Sequence, residues 1–170
     1  PYNDNHIICG QGTTSLELMD ECPDLDILIT PVSGGGLLGG TLCYAKEKNK
    51  NIQVYGAEPM EADDAYRSLL SGKIQSNETT NTICDGLRAQ IGTITFPIIR
   101  DKVNGIIPIS EEDIISTMKM IWERMKIIVE PSCAIALAAV LNNKNIFSDK
   151  KVGLILSGGN VDLDQLPWFD

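Results

Sequence analysis

Positive charge is scarce in this chain. Fourteen Lys and Arg residues face 23 Asp and Glu, for a net charge of −9 over 170 residues. Nucleic-acid phosphates would be repelled, so a nucleic-acid partner is excluded. Long apolar runs are also missing. None reaches about 18 residues, the length of a membrane span, so no membrane partner is expected. No two of the five cysteines have C-x-x-C spacing, and the count is odd. That pattern fits free thiols in a reducing compartment, not a disulfide frame or a zinc site. Cys43 and Cys133 sit among apolar residues and read as small core side chains. The single histidine, His6, has no partner in view and reads as a loop residue. There is no linker, repeat or long low-complexity segment. The start, Pro1-Tyr2-Asn3-Asp4-Asn5, carries neither a signal pattern nor an initiator Met. It is expected to be a processed end or the beginning of a piece of a longer chain.

What is present is a single-domain amount of chain with an ordinary apolar share of 43%. Three apolar runs read as buried parallel strands: 27–32, 52–57 and 152–156. Helical patterns lie between them, so the fold class is α/β, an open and mainly parallel sheet flanked by helices. The spacing predicts helices over 13–19, 41–47, 61–70, 96–103, 110–125 and 132–141, and a short strand over 105–109. Ala62, Ala65, Leu69 and Leu70 are expected on one face of their helix, which Gly72 closes. Ser110-Glu111-Glu112-Asp113 has the form of a capping box. Asn142-Asn143-Lys144-Asn145 reads as a helix end running into a loop.

The stretch Ser33-Gly34-Gly35-Gly36-Leu37-Leu38-Gly39-Gly40 follows the first strand and opens a helix. Glycines there let the backbone wrap a ligand, and the bare N–H groups of a helix start favour a phosphate. A tight strand-to-helix turn without a ligand would look the same. Two other strand ends sharpen the question. Ser157-Gly158-Gly159 ends the last strand and Glu58-Pro59 ends the second. In an open parallel sheet, ligands bind at the carboxyl ends of strands, so these polar ends are expected to converge on one edge. A phosphate-bearing ligand and a set of turn glycines both remain open on these grounds.

The motifs Gly10-Gln11-Gly12-Thr13, Pro31 to Leu37, Ala57-Glu58-Pro59, Asp85-Gly86, Glu130-Pro131-Ser132 and Leu156 to Asn160 occur in that order. The set resembles fold-type II pyridoxal-phosphate enzymes of the serine racemase and threonine dehydratase group. The stretches Glu58 to Tyr66, Trp122 to Lys126 and Gly158 to Leu163 are most similar to the eukaryotic racemase branch. The resemblance implies a phosphate cup of Ser33, Gly34, Gly35, Gly36 and Leu37. It implies a hydroxyl for the pyridine nitrogen at Ser157 and flanking contacts at Gly86 and Glu130. It implies a site for Mg²⁺, or Mn²⁺ or Ca²⁺, at Glu58, Asp64 and the carbonyl of Ala62, where the bland reading is acidic residues favouring a helix start. Arg124 and Lys126 match positions beside a nucleotide-effector site at a subunit interface, although a solvated helix end explains them nearly as well.

Members of this group are about twice as long. Their cofactor-bearing lysine lies in a Ser-x-Lys stretch, and no lysine here has that context. Lys73, Lys102 and Lys126 read as surface charges. Residues 1–170 are therefore expected to be most of the large cofactor-binding domain, without the small domain, the N-terminal segment or the catalytic bases. The implied activity is racemisation of L-serine to D-serine with ammonia-lyase activity giving pyruvate and ammonia, in a cytoplasmic homodimer. The alternatives are a threonine dehydratase also active on serine, and a non-catalytic cofactor-binding piece. Two departures from animal members bear on that choice. Tyr2 stands where animal racemases have a polar residue and dehydratases commonly have Phe, and the tail Leu166 to Asp170 differs.

Overall fold

The structure is a computed structural model, and residues 1–168 are described. Four parallel strands make one sheet in the order β3-β2-β1-β4. They are β1 (Ile27–Pro31), β2 (Gln53–Pro59), β3 (Gly105–Ile109) and β4 (Val152–Leu154). The helices are α1 (Asn5–Glu21), α2 (Gly36–Lys48), α3 (Asp64–Ser71), α4 (Thr95–Lys102), α5 (Glu111–Met125), α6 (Pro131–Asn142) and α7 (Lys144–Phe147).

Strand side chains alternate between two cores, as the period of a strand requires. Leu28, Val54 and Ile106 enter one core with Met19 of α1, Leu42 of α2, Ala65 of α3 and Ile99 of α4. Ile27, Ile29, Ala57 and Ile109 enter the other with Ile114 of α5, Ile135 of α6 and Phe147 of α7. Both faces of the sheet are thus covered, which is why most strand residues are apolar; Thr30, Gln53 and Glu58 are the polar ones.

Several sequence expectations change. α1 begins eight residues before the expected Thr13, because Asp4 caps it by accepting the N–H groups of His6 and Ile7. His6 is therefore in the first helical turn, not a loop. Gly10 and Gly12 lie inside this helix, and Gly12 is where it meets α2. A Cβ on Gly40 would sit 2.6 Å from the Gly12 nitrogen and would overlap the Ile8 carbonyl. Glycine at this crossing is what lets the two backbones touch. α2 likewise begins at Gly36, inside the glycine run, not at Thr41.

β2 continues through Pro59 because the pairing with β1 has already ended at Ala57, so the missing proline N–H leaves no β1 carbonyl unpaired. β4 stops at Leu154, earlier than expected, because it pairs with only three residues of β1. Gly72 closes α3 in the left-handed conformation as expected, but Leu70 is 70% exposed and stands apart from the Ala62–Ala65 face. Ser110 caps α5 by accepting the Asp113 N–H at 3.2 Å. α7 occupies the stretch read as a loop after Asn142. Cys133 is buried as expected, whereas Cys43 is exposed on α2. Of the divergent tail, Leu166 is buried against α5 and α6, while Phe169 and Asp170 lie outside the described residues.

Candidate active site

A cavity of about 340 Å³ opens at the carboxyl end of β1. Its floor is the turn from β1 into α2. Gly35 takes φ +88°, which only glycine adopts without strain, and α2 starts at the next residue. The Gly39 N–H already bonds the Gly35 carbonyl, so the orphan N–H groups of the first turn belong to Gly36, Leu37 and Leu38. No acidic side chain lies in that first turn, and Lys46 and Lys48 lie in the last. The N-terminal end of α2 therefore keeps its partial positive charge for an anion.

The cradle is as narrow as the backbone permits. A Cβ on Gly35 would come within 2.8 Å of both Ile99 Cδ1 and Thr95 Oγ1, and one on Gly34 would overlap the Tyr2 ring. All five residues of the expected cup, Ser33, Gly34, Gly35, Gly36 and Leu37, line this cavity. So do the other three expected residues, Gly86, Glu130 and Ser157. The structure thus brings together at one opening residues separated by more than a hundred positions of sequence. Free N–H groups at a helix start, on a turn that tolerates no side chain, fit a phosphate.

Each wall is fixed by identifiable bonds. The Ser33 hydroxyl is engaged by the cavity wall: it donates to the Ala89 carbonyl at 3.1 Å and accepts the Ala89 N–H at 3.0 Å. The Gly86 N–H is held by Asp85 Oδ1 at 2.9 Å and by Ser132 Oγ at 3.1 Å. Glu130 lies just before α6 and accepts the Asn160 N–H at 2.8 Å, so its carboxylate braces the loop that carries Ser157. Ser157 itself is exposed in that loop, three residues beyond the end of β4.

Glu58 departs from the expected convergence. It does not line the cavity; it is fully buried, and its carboxylate accepts the N–H groups of Ala65 (3.0 Å) and Tyr66 (2.8 Å) at the start of α3. Burial pushes its pKa up to about 9, aided by Asp64 and Asp63 and opposed by the two N–H donors. Asp64 is also buried and its pKa is raised by burial. Its Oδ2 accepts the Ile91 N–H at 2.7 Å, while Oδ1 is buried without a hydrogen bond; the Asn77 side chain, which accepts the Asp64 N–H at 3.1 Å and is itself unpaired at Nδ2, also acts on the carboxylate. Ala62 lies between the two carboxylates in sequence, at the end of the 3-10 turn Met60–Ala62, and is buried. The described residues contain no group of three or more His, Cys, Asp or Glu that could hold a metal. A cation here would rest on two carboxylates plus neutral oxygens. The orphaned Asp64 Oδ1 fits that requirement, since a buried acceptor without a partner is costly.

Arg124 and Lys126 are exposed at the far end of α5 and do not line the cavity. Sequence reasoning missed Tyr2, Gln11, Ala89 and Ser132 as cavity residues, and Thr95 and Asn77 as supporting ones. Ser132 had a usable signal, being joined to Glu130-Pro131 in one of the motifs. Thr95 had none, because nothing in Thr93-Ile94-Thr95 separates it from any loop threonine.

The Pyridoxal-phosphate dependent enzyme family model matches residues 1–158. The serine racemase of Dictyostelium discoideum is 54% identical over 172 residues, which cover 98% of this chain and 52% of the relative. The crystal structure of serine racemase from that organism superposes with a TM-score of 0.90 at 55% identity, over 95% of this chain and 52% of that one. The crystal structure of a threonine deaminase from T.th. gives a TM-score of 0.90 at 40% identity, over 94% and 54%. The chain spans about half the length of the curated relatives it matches. With the glycine cradle at the sheet edge and a family match over nearly the whole sequence, the chain belongs to the pyridoxal-phosphate-dependent enzyme family.

Proposed function

We propose that this chain is the cofactor-anchoring part of an enzyme that converts L-serine to D-serine and also eliminates its β-hydroxyl to give pyruvate and ammonia. The observation that carries the reading is the cavity at the β1–α2 turn, lined by all eight residues expected of a pyridoxal-phosphate site. The 54% identity to a serine racemase supports the substrate. When bound, pyridoxal phosphate supplies the electron sink that makes the Cα proton of the amino acid removable.

The chain's own residues anchor and tune. The N–H groups of Gly36, Leu37 and Leu38 hold the phosphate with the α2 dipole behind them. The Ser157 hydroxyl, on the cavity wall, would serve the pyridine nitrogen. A neutral hydroxyl, unlike a carboxylate, does not keep that nitrogen protonated, which restricts the chemistry to Cα deprotonation with reprotonation or β-elimination. Gly86 and Glu130, which line the same cavity, would flank the cofactor ring. Among the described residues no lysine lines the cavity. The lysine that carries the cofactor, and the acid and base at Cα, therefore come from chain outside these residues, which make up most of the large domain.

Glu58, Asp64 and the Ala62 carbonyl hold a hard divalent cation, Mg²⁺ or else Mn²⁺ or Ca²⁺, with waters completing the shell. The unpaired Asp64 Oδ1 supports this. Arg124 and Lys126 sit beside exposed Met125, Ile127 and Ile128. An apolar patch with a cationic rim supports a homodimer interface that admits a nucleotide effector. Free cysteines at all five positions support a reducing, cytoplasmic setting. No helix among the described residues is long and apolar enough to cross a membrane.

Dehydration of threonine is the second reading. It is favoured by the Tyr2 ring lying on the cup at Gly34 and by the 40% identity to threonine deaminase. One experiment separates the two. The full-length protein is assayed on L-serine and L-threonine with and without Mg²⁺, following D-serine, pyruvate and 2-oxobutyrate. D-serine formation that rises with Mg²⁺ is expected. If 2-oxobutyrate and pyruvate form without any D-serine, the dehydratase reading replaces the racemase.

A further inference from the structure

The segment from Leu87 to Thr95 touches both the glycine cup and the Glu58–Asp64 pocket. At one end the Ile91 N–H donates to Asp64 Oδ2 at 2.7 Å. The next residue, Gly92, donates its N–H to the Gly34 carbonyl at 3.2 Å and to Thr95 Oγ1 at 3.0 Å. The Thr95 hydroxyl donates in turn to the same Gly34 carbonyl at 2.7 Å. It also stands where a side chain on Gly35, the residue held at φ +88°, would have to go. Ala89 of the same segment exchanges two hydrogen bonds with the Ser33 hydroxyl. Asn3 fastens the segment to the start of the chain, accepting the Ile94 N–H at 2.7 Å and donating to Thr93 Oγ1 at 3.0 Å. From the Asp64 carboxylate to the peptide that orients the cup there are two hydrogen bonds and one covalent step.

We propose that this strap couples the two sites, so that a divalent cation at Asp64 tightens the hold of the cup on the cofactor phosphate, with Thr95 as the positioning residue at the cup end. The proposal rests on the reading of Glu58 and Asp64 as a cation pocket. The two oxygens of Asp64 have separate tasks: Oδ2 is committed to Ile91, and Oδ1 makes no hydrogen bond, although the Asn77 side chain, itself unpaired at Nδ2, interacts with the carboxylate. A cation at Oδ1 fixes the plane of the carboxylate, and with it the position of the Ile91 N–H. Gly92 follows, and both of its partners, Gly34 and Thr95, set the direction in which the Gly35 and Gly36 peptides face. Thr95 is fully buried, so neither of these two hydrogen bonds, from Gly92 and to Gly34, is shared with solvent. A cation that alters the hold of Asp64 on the strap thereby alters the free energy of phosphate binding, and linkage makes the effect reciprocal.

The test uses the full-length protein freed of cofactor. Pyridoxal-phosphate affinity is measured by equilibrium dialysis in excess Mg²⁺ and in EDTA, and Mg²⁺ affinity by calorimetry with and without the cofactor. Wild type is expected to bind the cofactor roughly tenfold tighter with Mg²⁺, and Mg²⁺ roughly tenfold tighter with cofactor. In Thr95→Val both ligands still bind but the ratio falls towards one, and Thr95→Ser restores it. Asp64→Asn keeps an acceptor for the Ile91 N–H yet removes both Mg²⁺ binding and the Mg²⁺ dependence. If wild type binds both ligands with a ratio of one, the coupling is overturned and the cation pocket stands. If wild type binds no Mg²⁺, the cation pocket falls and the coupling with it. If Thr95→Val keeps the full ratio, Thr95 loses its part.

Discussion

At the scale of single residues, the site depends on what is left out of side chains as much as on what is put in. Gly35 has a left-handed backbone and no room for a Cβ beside Thr95 and Ile99. Gly35→Ala therefore meets backbone strain and overlap together, and an affinity loss for pyridoxal phosphate of at least about tenfold is expected by dialysis. Unchanged affinity would mean that the turn is not the phosphate contact. The thiols give a second measurement. Cys9 and Cys22 are exposed and should react first with a thiol reagent. Cys43 is exposed as well but should follow more slowly, because desolvation of its thiol raises its pKa. Cys84, pushed up to about 12 by burial, and buried Cys133 should react only after denaturation. The cup was legible because consecutive glycines between an apolar strand and a helix mark a place where the backbone must approach something closely. Thr95, Ser132 and Asn3 were not, since a polar residue that bonds across a long stretch of sequence looks locally like any loop residue. Glu58 was misread because a strand end shows which edge a residue is near but not which face its side chain enters.

At the scale of elements, the α1–α2 crossing is the controlling contact. Gly40→Ala would press a methyl into the Gly12 nitrogen and the Ile8 carbonyl, so the helices must part and the cup must shift with α2. A loss of about 1–3 kcal/mol is expected in a denaturation midpoint experiment. Gly10 lies in the same helix with nothing within 4 Å of its would-be Cβ. Gly10→Ala should therefore stabilise by about 0.5–1 kcal/mol. Similar effects of the two substitutions would remove the crossing from its central place. The strands were legible from apolar runs bounded by turn residues, and α5 from its cap and period. The start of α1 was not, because Gly10 and Gly12 look like loop residues until the second helix they pack against is known.

At the scale of the whole molecule, the cavity draws its walls from both extremes of the chain, Pro1 and Tyr2 on one side and Ser157 on the other. The isolated 170-residue chain should bind pyridoxal phosphate in competition with inorganic phosphate. Because no lysine among the described residues lines the cavity, borohydride should fix no cofactor there. Mass spectrometry of the reduced protein checks this, and stoichiometric labelling at a single lysine would contradict the arrangement. The strand order β3-β2-β1-β4 has a further consequence in time. β1 is the first of the four strands made, yet one of its two neighbours is the last, pairing Ile27 with Val152. During synthesis the phosphate cup can be framed by β2 long before Ser157 has left the ribosome. Long-range parallel pairing closes slowly, so the cofactor pocket is completed only when nearly the whole chain is available.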